Sequence, residues 1–227
     1  MEWFVSWSGG KDSCLAYWRA RQKGLNVRYA LTAHERGNIG AHGVPLAVVE
    51  KQVESMGLEL VAFDSDWDEY EANFKHVVSD LVRRGVAGGV FGDIDLQAHR
   101  DWIERVCADA GALAEFPLWG GTHKDLLREW AALGFRAVIT AVDSSMIDTR
   151  WLGMVLDRRT AERLIMVSEQ EGFSPAGESG EYHTLVLGGP AFSSTLTVEH
   201  AAPCYSMGHW KLGITSIREV RSRGGMV

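Results

Sequence analysis

The feature that most constrains the fold is the turn Ser8–Ser13, with the sequence SGGKDS, which directly follows the apolar run Trp3–Trp7. An apolar run, two glycines and a helix-compatible segment from Lys11 onward predict a strand, a tight turn and a helix start. Backbone N–H groups at the glycines and the positive end of the helix together form a site for an anion of phosphate size. The spacing differs from G-x-x-x-x-G-K-[ST], so the mechanism of kinase-type phosphate loops does not apply. The alternative is an ordinary glycine turn that only caps a helix.

Side chains of the turn add to this predicted anion site. The hydroxyls of Ser8 and Ser13 can donate hydrogen bonds to phosphate oxygens, and Lys11 can offset charge that develops on a leaving group. We therefore predict phosphate binding, with Lys11 and Asp12 also taking part in catalysis. The predicted phosphate-binding residues are Ser8, Gly9, Gly10, Lys11, Asp12 and Ser13.

Composition narrows the class of protein. With 227 residues, of which 46% are hydrophobic, the chain can bury a sizeable core. A formal net charge of −7 argues against a nucleic-acid partner and suits a protein that handles small molecules. The 3 cysteines are scattered without a C-x-x-C pair, as in a reducing compartment, and no apolar run reaches membrane-spanning length. We therefore expect a cytoplasmic protein with no membrane partner.

The first half of the sequence alternates between strand-like and helix-like patterns. Strands are predicted over residues 27–33, 58–63 and 87–92, and helices over 45–57, 70–84 and part of 93–110. Such alternation predicts an α/β protein with a parallel sheet covered by helices on both faces. Ligands of such sheets bind beyond the carboxyl ends of the strands, where the Ser8–Ser13 turn lies.

The second half has a different pattern. Thr122 can cap a helix that ends at Gly134, residues 135–142 form another strand, and Asp157 can cap a helix to about Glu171. Short β-like runs follow at residues 184–187, 194–198 and 213–220. We therefore predict two domains: one over residues 1–121, which contains the phosphate turn, and a smaller α+β domain over 122–227.

The loop from Thr32 to Gly43 follows the second predicted strand, where a nucleoside would lie beside the phosphate site. Thr32, the glycines and His42 could shape a base or ribose pocket in this loop. A surface loop without function explains the same residues equally well.

Gly92 and Asp93 follow the fourth predicted strand and reach the same sheet edge as the phosphate turn. A carboxylate beside a triphosphate is a natural ligand for Mg²⁺, which prefers oxygen. We therefore predict that Gly92 and Asp93 contact the nucleotide and that Asp93 binds the metal. The alternative is that Asp93 only caps the following helix.

A third cluster spans Gly177–Thr184, with the sequence GESGEYHT. Glycines interleaved with acids predict a kinked loop that brings side chains to a ligand. Glu178 and Glu181 could hold a metal, bind an amine or act as a base, and we predict both to be catalytic. A polar surface turn is the alternative. Cys14, one residue after the phosphate turn, is interpreted as a buried packing thiol.

Together these motifs resemble the diphthine–ammonia ligase-related family of PP-loop (N-type) ATP pyrophosphatases, over roughly residues 2 to 200. The acidic-glycine motif is the specific one, since the phosphate turn alone indicates only the superfamily. The segment Glu181–Thr184 is more similar to the bacterial members of this family. The motifs that carry the resemblance are Ser8–Ser13, His42-Gly43, Phe91–Ile94, Phe116–Trp119, Gly134–Ala137, Asp143 and Gly177–Glu181.

The resemblance implies an adenine-nucleotide α-hydrolase-like domain, a C-terminal domain that covers the substrate, and the cofactors ATP and Mg²⁺. It implies adenylation of a carboxylate, on a small molecule or a protein, then amide formation with ammonia or an amine near Glu178 and Glu181. Lys11 and the metal would stabilise the departing pyrophosphate. A homodimer is compatible with this hypothesis. The alternatives are a non-catalytic adenine-nucleotide sensor and a PP-loop enzyme that modifies tRNA.

Overall fold

The structure, a computed structural model, describes residues 1–40, 43–206 and 208–221. Strands of its first half are β1 (Glu2–Ser6), β2 (Asn26–His34), β3 (Asn38–Ile39), β4 (Val44–Pro45), β5 (Glu59–Asp64), β6 (Val86–Val90) and β7 (Leu113–Glu115). One sheet has the order β5-β2-β1-β6-β7 with parallel neighbours, and β3 and β4 form a small antiparallel hairpin. The predicted α/β class with a parallel sheet is confirmed.

Helices cover both faces of this parallel sheet. They are α1 (Lys11–Gln22), α2 (Leu46–Met56), α3 (Tyr70–Arg83) and α4 (Gln97–Asp109). Successive residues of a strand face opposite sides, so Phe4 packs in one core with Phe74 of α3. Val5 packs in the other core with Leu15 of α1 and Val49 of α2.

A second, antiparallel sheet is built from the second half of the chain. The second half contains, in chain order, α5 (His123–Ala132), β8 (Arg136–Asp143), β9 (Val155–Leu156), α6 (Arg158–Glu171), β10 (Tyr182–Gly188), β11 (Ser194–Ser206) and β12 (His209–Arg221). The strand order is β10-β8-β12-β11, with β9 paired to β8. The predicted caps are present, since Thr122 accepts a hydrogen bond from the Asp125 amide and Asp157 accepts one from the Thr160 amide.

Two predictions of strand extent were wrong. β11 and β12 each span 13 residues, far more than the predicted runs. The outer part of β11 is exposed and shows no hydrophobic alternation, whereas the start of β12 alternates at Trp210, Leu212 and Ile214, and that signal was overlooked. β7 was missed because it has only 3 residues, which is too short to show a pattern.

The two sheets share one hydrophobic core. Trp7, at the end of the first strand, belongs to the same buried cluster as Leu185 and Val186 of β10. The Val186 amide also donates a hydrogen bond to the Gly9 carbonyl at 2.8 Å. β10 therefore lies directly against the turn between β1 and α1. Within the described ranges, no helix is long and apolar enough to cross a bilayer.

Candidate functional site

The Ser8–Ser13 turn connects β1 to α1, as predicted. Gly9 has φ +82°, a left-handed conformation that favours glycine, and a Cβ there would lie 2.8 Å from Gln52 Oε1. Two constraints therefore favour glycine at this position: the positive φ and the close approach of Gln52. Gly10 is the extended N-cap residue from which α1 begins.

A fully buried glutamine, Gln52 of α2, holds this turn in place. Its Nε2 donates to the carbonyl oxygens of Gly9 at 3.1 Å and Val186 at 2.7 Å, and its Oε1 accepts from Trp7 Nε1 at 3.2 Å. Sequence reasoning missed Gln52. The available signal was an amide on the buried face of an otherwise apolar helix segment that includes Val48 and Val49.

Several polar hydrogens of the turn are engaged within the protein, since Gly10 N donates to Ser8 Oγ at 3.3 Å and Ser13 Oγ donates to the Gly10 carbonyl at 3.0 Å. Ser8 Oγ and Ser13 Oγ lie 3.3 Å apart, and Lys11 N donates to Thr184 Oγ1 at 3.1 Å. In the first turn of α1, the Asp12 and Ser13 amides have no hydrogen-bond acceptor among residues 1–40, 43–206 and 208–221. Such amides bind anions, and the helix dipole adds to the attraction.

The Lys11 side chain is buried, and its ammonium group has two oxygen partners. It donates to Asp12 Oδ2 at 2.7 Å and to the Ala176 carbonyl, and it lies 5.2 Å from the Tyr182 ring centroid. Burial alone would lower the pKa of Lys11, but the charge of Asp12 and its hydrogen bond outweigh burial and raise that pKa. Lys11 is therefore a fixed positive charge beside the anion site at neutral pH.

Gly92 lets the end of the β6 segment approach α1 closely. A Cβ at Gly92 would lie 2.9 Å from both Asp12 C and Ser13 N. The next residue, Asp93, has a mostly buried carboxylate that pairs with His99 Nδ1. The alternative that Asp93 caps the following helix is wrong, because α4 begins after Leu96.

His99 extends this part of the site. Its ring stacks on Trp102 with centroids 5.9 Å apart. The hydrogen bond to Asp93 raises the pKa of His99, although burial opposes the shift. His99 therefore presents an imidazole to the site, which sequence reasoning missed because it follows Asp93 by 6 positions without a recognisable motif.

The loop over residues 177–184 is organised by Glu181. This carboxylate is 1% exposed, and its two oxygens accept from Ser174 N at 2.7 Å and Ser179 N at 2.9 Å. The alternative of a polar surface turn is therefore wrong. Both oxygens of Glu181 are engaged within the loop, so the geometry favours a positioning role over the predicted chemical role.

Glu178 differs from Glu181 because its carboxylate faces the open site. Burial, followed by repulsion from Asp12, raises the pKa of Glu178 to about 7, and the positive charge of Lys11 partly opposes this shift. A carboxyl group with such a pKa can take or give a proton near neutral pH.

Three of the four predicted clusters, namely the Ser8–Ser13 turn, Gly92–Asp93 and Gly177–Thr184, line one cleft of about 370 Å³. Residues that were predicted and line it are Ser8, Gly10, Lys11, Asp12, Ser13, Gly92, Asp93 and Glu178. Further lining residues, not predicted, include Ser6, Leu96, His99, Tyr182, His183 and Thr184. The predicted residues Gly9 and Glu181 support the walls of the cleft from behind.

The predicted base-binding residues lie elsewhere. Thr32 is buried outside the cleft lining, where its hydroxyl donates to the Trp7 carbonyl at 2.8 Å, and His42 lies outside the described residues. Since side chains alternate along β2, Leu31 and Ala33 face the other way. They line an apolar cavity of about 110 Å³ that shares Ser6 and Ser8 with the cleft.

The cleft carboxylates do not form a metal site by themselves, so a metal ion there would also need phosphate oxygens or waters as ligands. Among the described ranges, no group of three or more His, Cys, Asp or Glu side chains is arranged to hold a metal ion. In nucleotide sites, however, Mg²⁺ needs only one or two carboxylates besides phosphate oxygens and waters. The cleft carboxylate of Asp93 fits that kind of site.

Fold and site together define a PP-loop α/β protein, with the anion-binding turn at the end of the first strand of a parallel sheet. Residues 1–113 match the family model described as diphthamide synthase N-terminal domain, and residues 122–221 match the diphthamide synthase C-terminal domain. The chain therefore belongs to the diphthamide synthase family, which confirms the resemblance seen in its motifs.

Curated relatives agree with this membership. Proteins named diphthine–ammonia ligase from Rattus norvegicus and Mus musculus are each 26% identical over 216 residues, which cover 85% of this chain and 80% of the relative. A protein of the same name from Schizosaccharomyces pombe is 29% identical over 231 residues, covering 87% of this chain but 37% of that protein. This chain thus corresponds to most of the two mammalian relatives and to a smaller part of the yeast relative.

Proposed function

We propose that the protein is an ATP-dependent ligase that adenylates a carboxylate and converts it to an amide with ammonia or another amine. The names of the relatives support a ligase that uses ammonia. The observation that carries the proposal is the composition of the cleft. An anion-binding turn with the buried cation Lys11 faces the carboxyl group of Glu178, whose pKa lies near neutral pH.

In this proposal, ATP binds with its β and γ phosphates on the amides and hydroxyls of the Ser8–Ser13 turn. The apolar cavity lined by Leu31 and Ala33 supports a position for the base, because it adjoins the turn through Ser6 and Ser8. The base would then lie on the opposite face of β2 from Thr32.

The first step is attack of a substrate carboxylate oxygen on the α phosphorus. A new P–O bond forms, the P–O bond to the bridging oxygen breaks, and pyrophosphate leaves with the electron pair. Lys11 stabilises the charge that develops on pyrophosphate. Its ammonium group is held in place by Asp12 and the Ala176 carbonyl, so little reorganisation accompanies the reaction.

The second step is attack of the amine nitrogen on the acyl carbon of the adenylate. The acyl C–O bond breaks, AMP leaves, and the nitrogen loses a proton. Glu178 is the proposed acceptor of that proton, since its pKa of about 7 provides a substantial carboxylate fraction at neutral pH. Glu181 keeps the loop in shape and is a positioning residue in this mechanism.

Mg²⁺ is part of this proposal. Asp93 would hold the ion together with phosphate oxygens, and the ion would supply positive charge to the triphosphate. Asp93 itself is kept in the cleft by its pairing with His99.

Product analysis tests the proposal. Protein incubated with ATP, Mg²⁺, ammonium and a pool of cell metabolites should release AMP and pyrophosphate. Lys11→Met should reduce this release by about 10²–10³-fold, and Lys23→Met, which removes an exposed lysine paired with Glu115, should not. Formation of ADP and phosphate would contradict the ligase proposal. ATP binding without any cleavage would also contradict it and would favour a nucleotide sensor.

A further inference from the structure

Three nitrogen-bearing side chains lie together where the second sheet borders the cleft. They are His183 of β10 with His209 and Lys211 of β12, here called the basic patch. His183 belongs to the segment that was predicted to bring side chains to a ligand, whereas His209 and Lys211 were assigned no ligand, and the proposed reaction uses none of the three.

Strand register places the basic patch on one face of the sheet. His183 and Lys211 are both opposite Ala141, on either side of the central strand β8. Opposite residues of antiparallel strands project from the same face. Ala141, which is fully buried, therefore lies between an imidazole and an ammonium group.

His209 completes the basic patch. It lies opposite Asp143 and two residues before Lys211, so it projects from the same face. The His183 and His209 ring centroids are 6.2 Å apart. The Asp143 carboxylate beside them accepts from Ser145 Oγ at 2.6 Å and Ser145 N at 2.8 Å, so one of its oxygens is already engaged.

Charge is distributed unevenly along the cleft. His183 lines the cleft and connects it to the basic patch. Toward the phosphate turn, the same cleft is lined by the carboxylates Asp12, Asp93 and Glu178. Outside the phosphate turn, a second anionic group is therefore better placed beside His183 than beside these carboxylates.

We infer that the basic patch binds a second anionic group of the acid that the enzyme activates. Imidazole and ammonium N–H groups donate charge-assisted hydrogen bonds to carboxylate or phosphate oxygens. The substrate class is then an acid with a further carboxylate or phosphate, held so that its reacting carboxylate points toward the turn. This inference rests on the proposed function, since it assumes that the reacting carboxylate meets ATP in this cleft.

Binding measurements on the full chain test this inference. The probes are dicarboxylates of increasing length, each paired with its own monoamide, titrated calorimetrically in the presence of α,β-methylene ATP and Mg²⁺. At the best chain length, the dicarboxylate should bind about tenfold or more tightly than the monoamide. Phosphonate analogues of the same length form a second series, and their rank against the dicarboxylates distinguishes a carboxylate from a phosphate as the second group.

Substitutions in the basic patch test whether it causes the preference for the dicarboxylate over the monoamide. Lys211→Gln should reduce the preference to about threefold or less, and His183→Gln and His209→Gln should each reduce it as well. Lys51→Gln is the matched control, because Lys51 is an exposed lysine that bonds to the Ile217 carbonyl on the same strand, β12. Circular dichroism identifies variants that fail to fold. If the histidine variants do not fold, Lys211→Gln still tests the inference, because Lys211 is only half-buried.

The outcomes separate this inference from the proposed function. Equal binding of dicarboxylate and monoamide, or a preference that survives Lys211→Gln, would overturn the inference even if AMP and pyrophosphate are produced. A preference that depends on Lys211 in a protein that never cleaves ATP would support anion binding at the patch and contradict the ligase.

Discussion

The cleft has two polar walls that are held by different means. The turn Ser8–Ser13 lies between a strand and a helix, and Gln52 supports it from below. The segment Gly177–Thr184 leads into β10, which begins at Tyr182, and the buried carboxylate of Glu181 holds it from inside. The first wall is therefore fixed by a strand and a helix together with Gln52, whereas the second wall is fixed mainly by the side chain of Glu181.

This difference explains why two acids of one segment lie in different environments. Glu181 is enclosed, and both of its oxygens accept amide hydrogens. Glu178 lies in the cleft among other carboxylates, and its pKa is raised to about 7. Burial with hydrogen-bond donors makes a carboxylate structural, whereas burial beside like charges makes one suitable for proton transfer.

The largest expected effect comes from removing the side chain that holds the loop. Glu181→Ala removes a carboxylate that is 1% exposed and that accepts the amides of both Ser174 and Ser179, so the free energy of unfolding should fall by about 3 kcal/mol. Urea denaturation at pH 7 measures this change. Glu178→Ala removes a carboxylate of the same segment whose charge is disfavoured in the folded protein, so it should not lower the free energy of unfolding at this pH. Equal losses in the two variants would mean that Glu181 does not hold the loop.

The next largest effect concerns the phosphate-binding wall. Gly92→Ala places a Cβ 2.9 Å from the backbone of Asp12 and Ser13 and should displace the turn, at a cost of about 1–3 kcal/mol in stability. ATP affinity, measured by titration calorimetry, should fall by about tenfold. Gly40→Ala is the control, since a Cβ there meets no atom within 4 Å. Unchanged ATP affinity in Gly92→Ala would show that the turn tolerates displacement.

A smaller, pH-dependent effect is expected at Glu178. Its pKa is raised from 4.5 to about 7, so the folded protein binds this proton more tightly than the unfolded chain does. Stability contributed by the protonated form is therefore lost as pH rises from about 4.5 to about 7.

The variant Glu178→Gln removes that dependence. It should be more stable than the wild type at pH 8, on the order of 1–2 kcal/mol after allowance for solvent screening, and equally stable at pH 4. Thermal unfolding at both pH values measures the difference. If the two proteins show the same difference at pH 4 and pH 8, then Glu178 does not titrate in this range.

The smallest effect is expected at Thr32. Thr32→Val removes the hydrogen bond to the Trp7 carbonyl and should lower stability by about 1 kcal/mol without changing ATP affinity. Ala33→Leu fills the neighbouring apolar cavity and should weaken ATP binding instead. A loss of ATP affinity in Thr32→Val alone would restore the predicted role of Thr32 in binding the nucleotide.

The phosphate turn could be predicted because its determinants are local. Two glycines, a strand before them and a helix after them fix the direction of the backbone amides. Gly92 was assigned to the same edge because the carboxyl ends of parallel strands meet there. The parallel sheet followed from alternating strands and helices for the same reason.

Other parts of the site depend on contacts between distant segments. Gln52 holds Gly9 across 43 positions and Val186 across 134, which no local pattern reveals. Nothing in the letters GESGEYHT distinguishes Glu178 from Glu181, because the difference arises from packing. The basic patch likewise depends on the register of β10 and β12 on β8, and the length of that hairpin was underestimated.

One strand connects the two ends of the cleft. Consecutive residues of β10 reach different neighbours, since Thr184 accepts the Lys11 amide and His183 lines the cleft beside the basic patch. An acid that shifts His183 therefore also shifts the acceptor at the start of α1, one peptide away. Linkage makes such coupling reciprocal, so the factor by which the acid changes ATP affinity equals the factor by which ATP changes the affinity for the acid. The two substrates of this enzyme should consequently bind as cooperative ligands and not as independent ones.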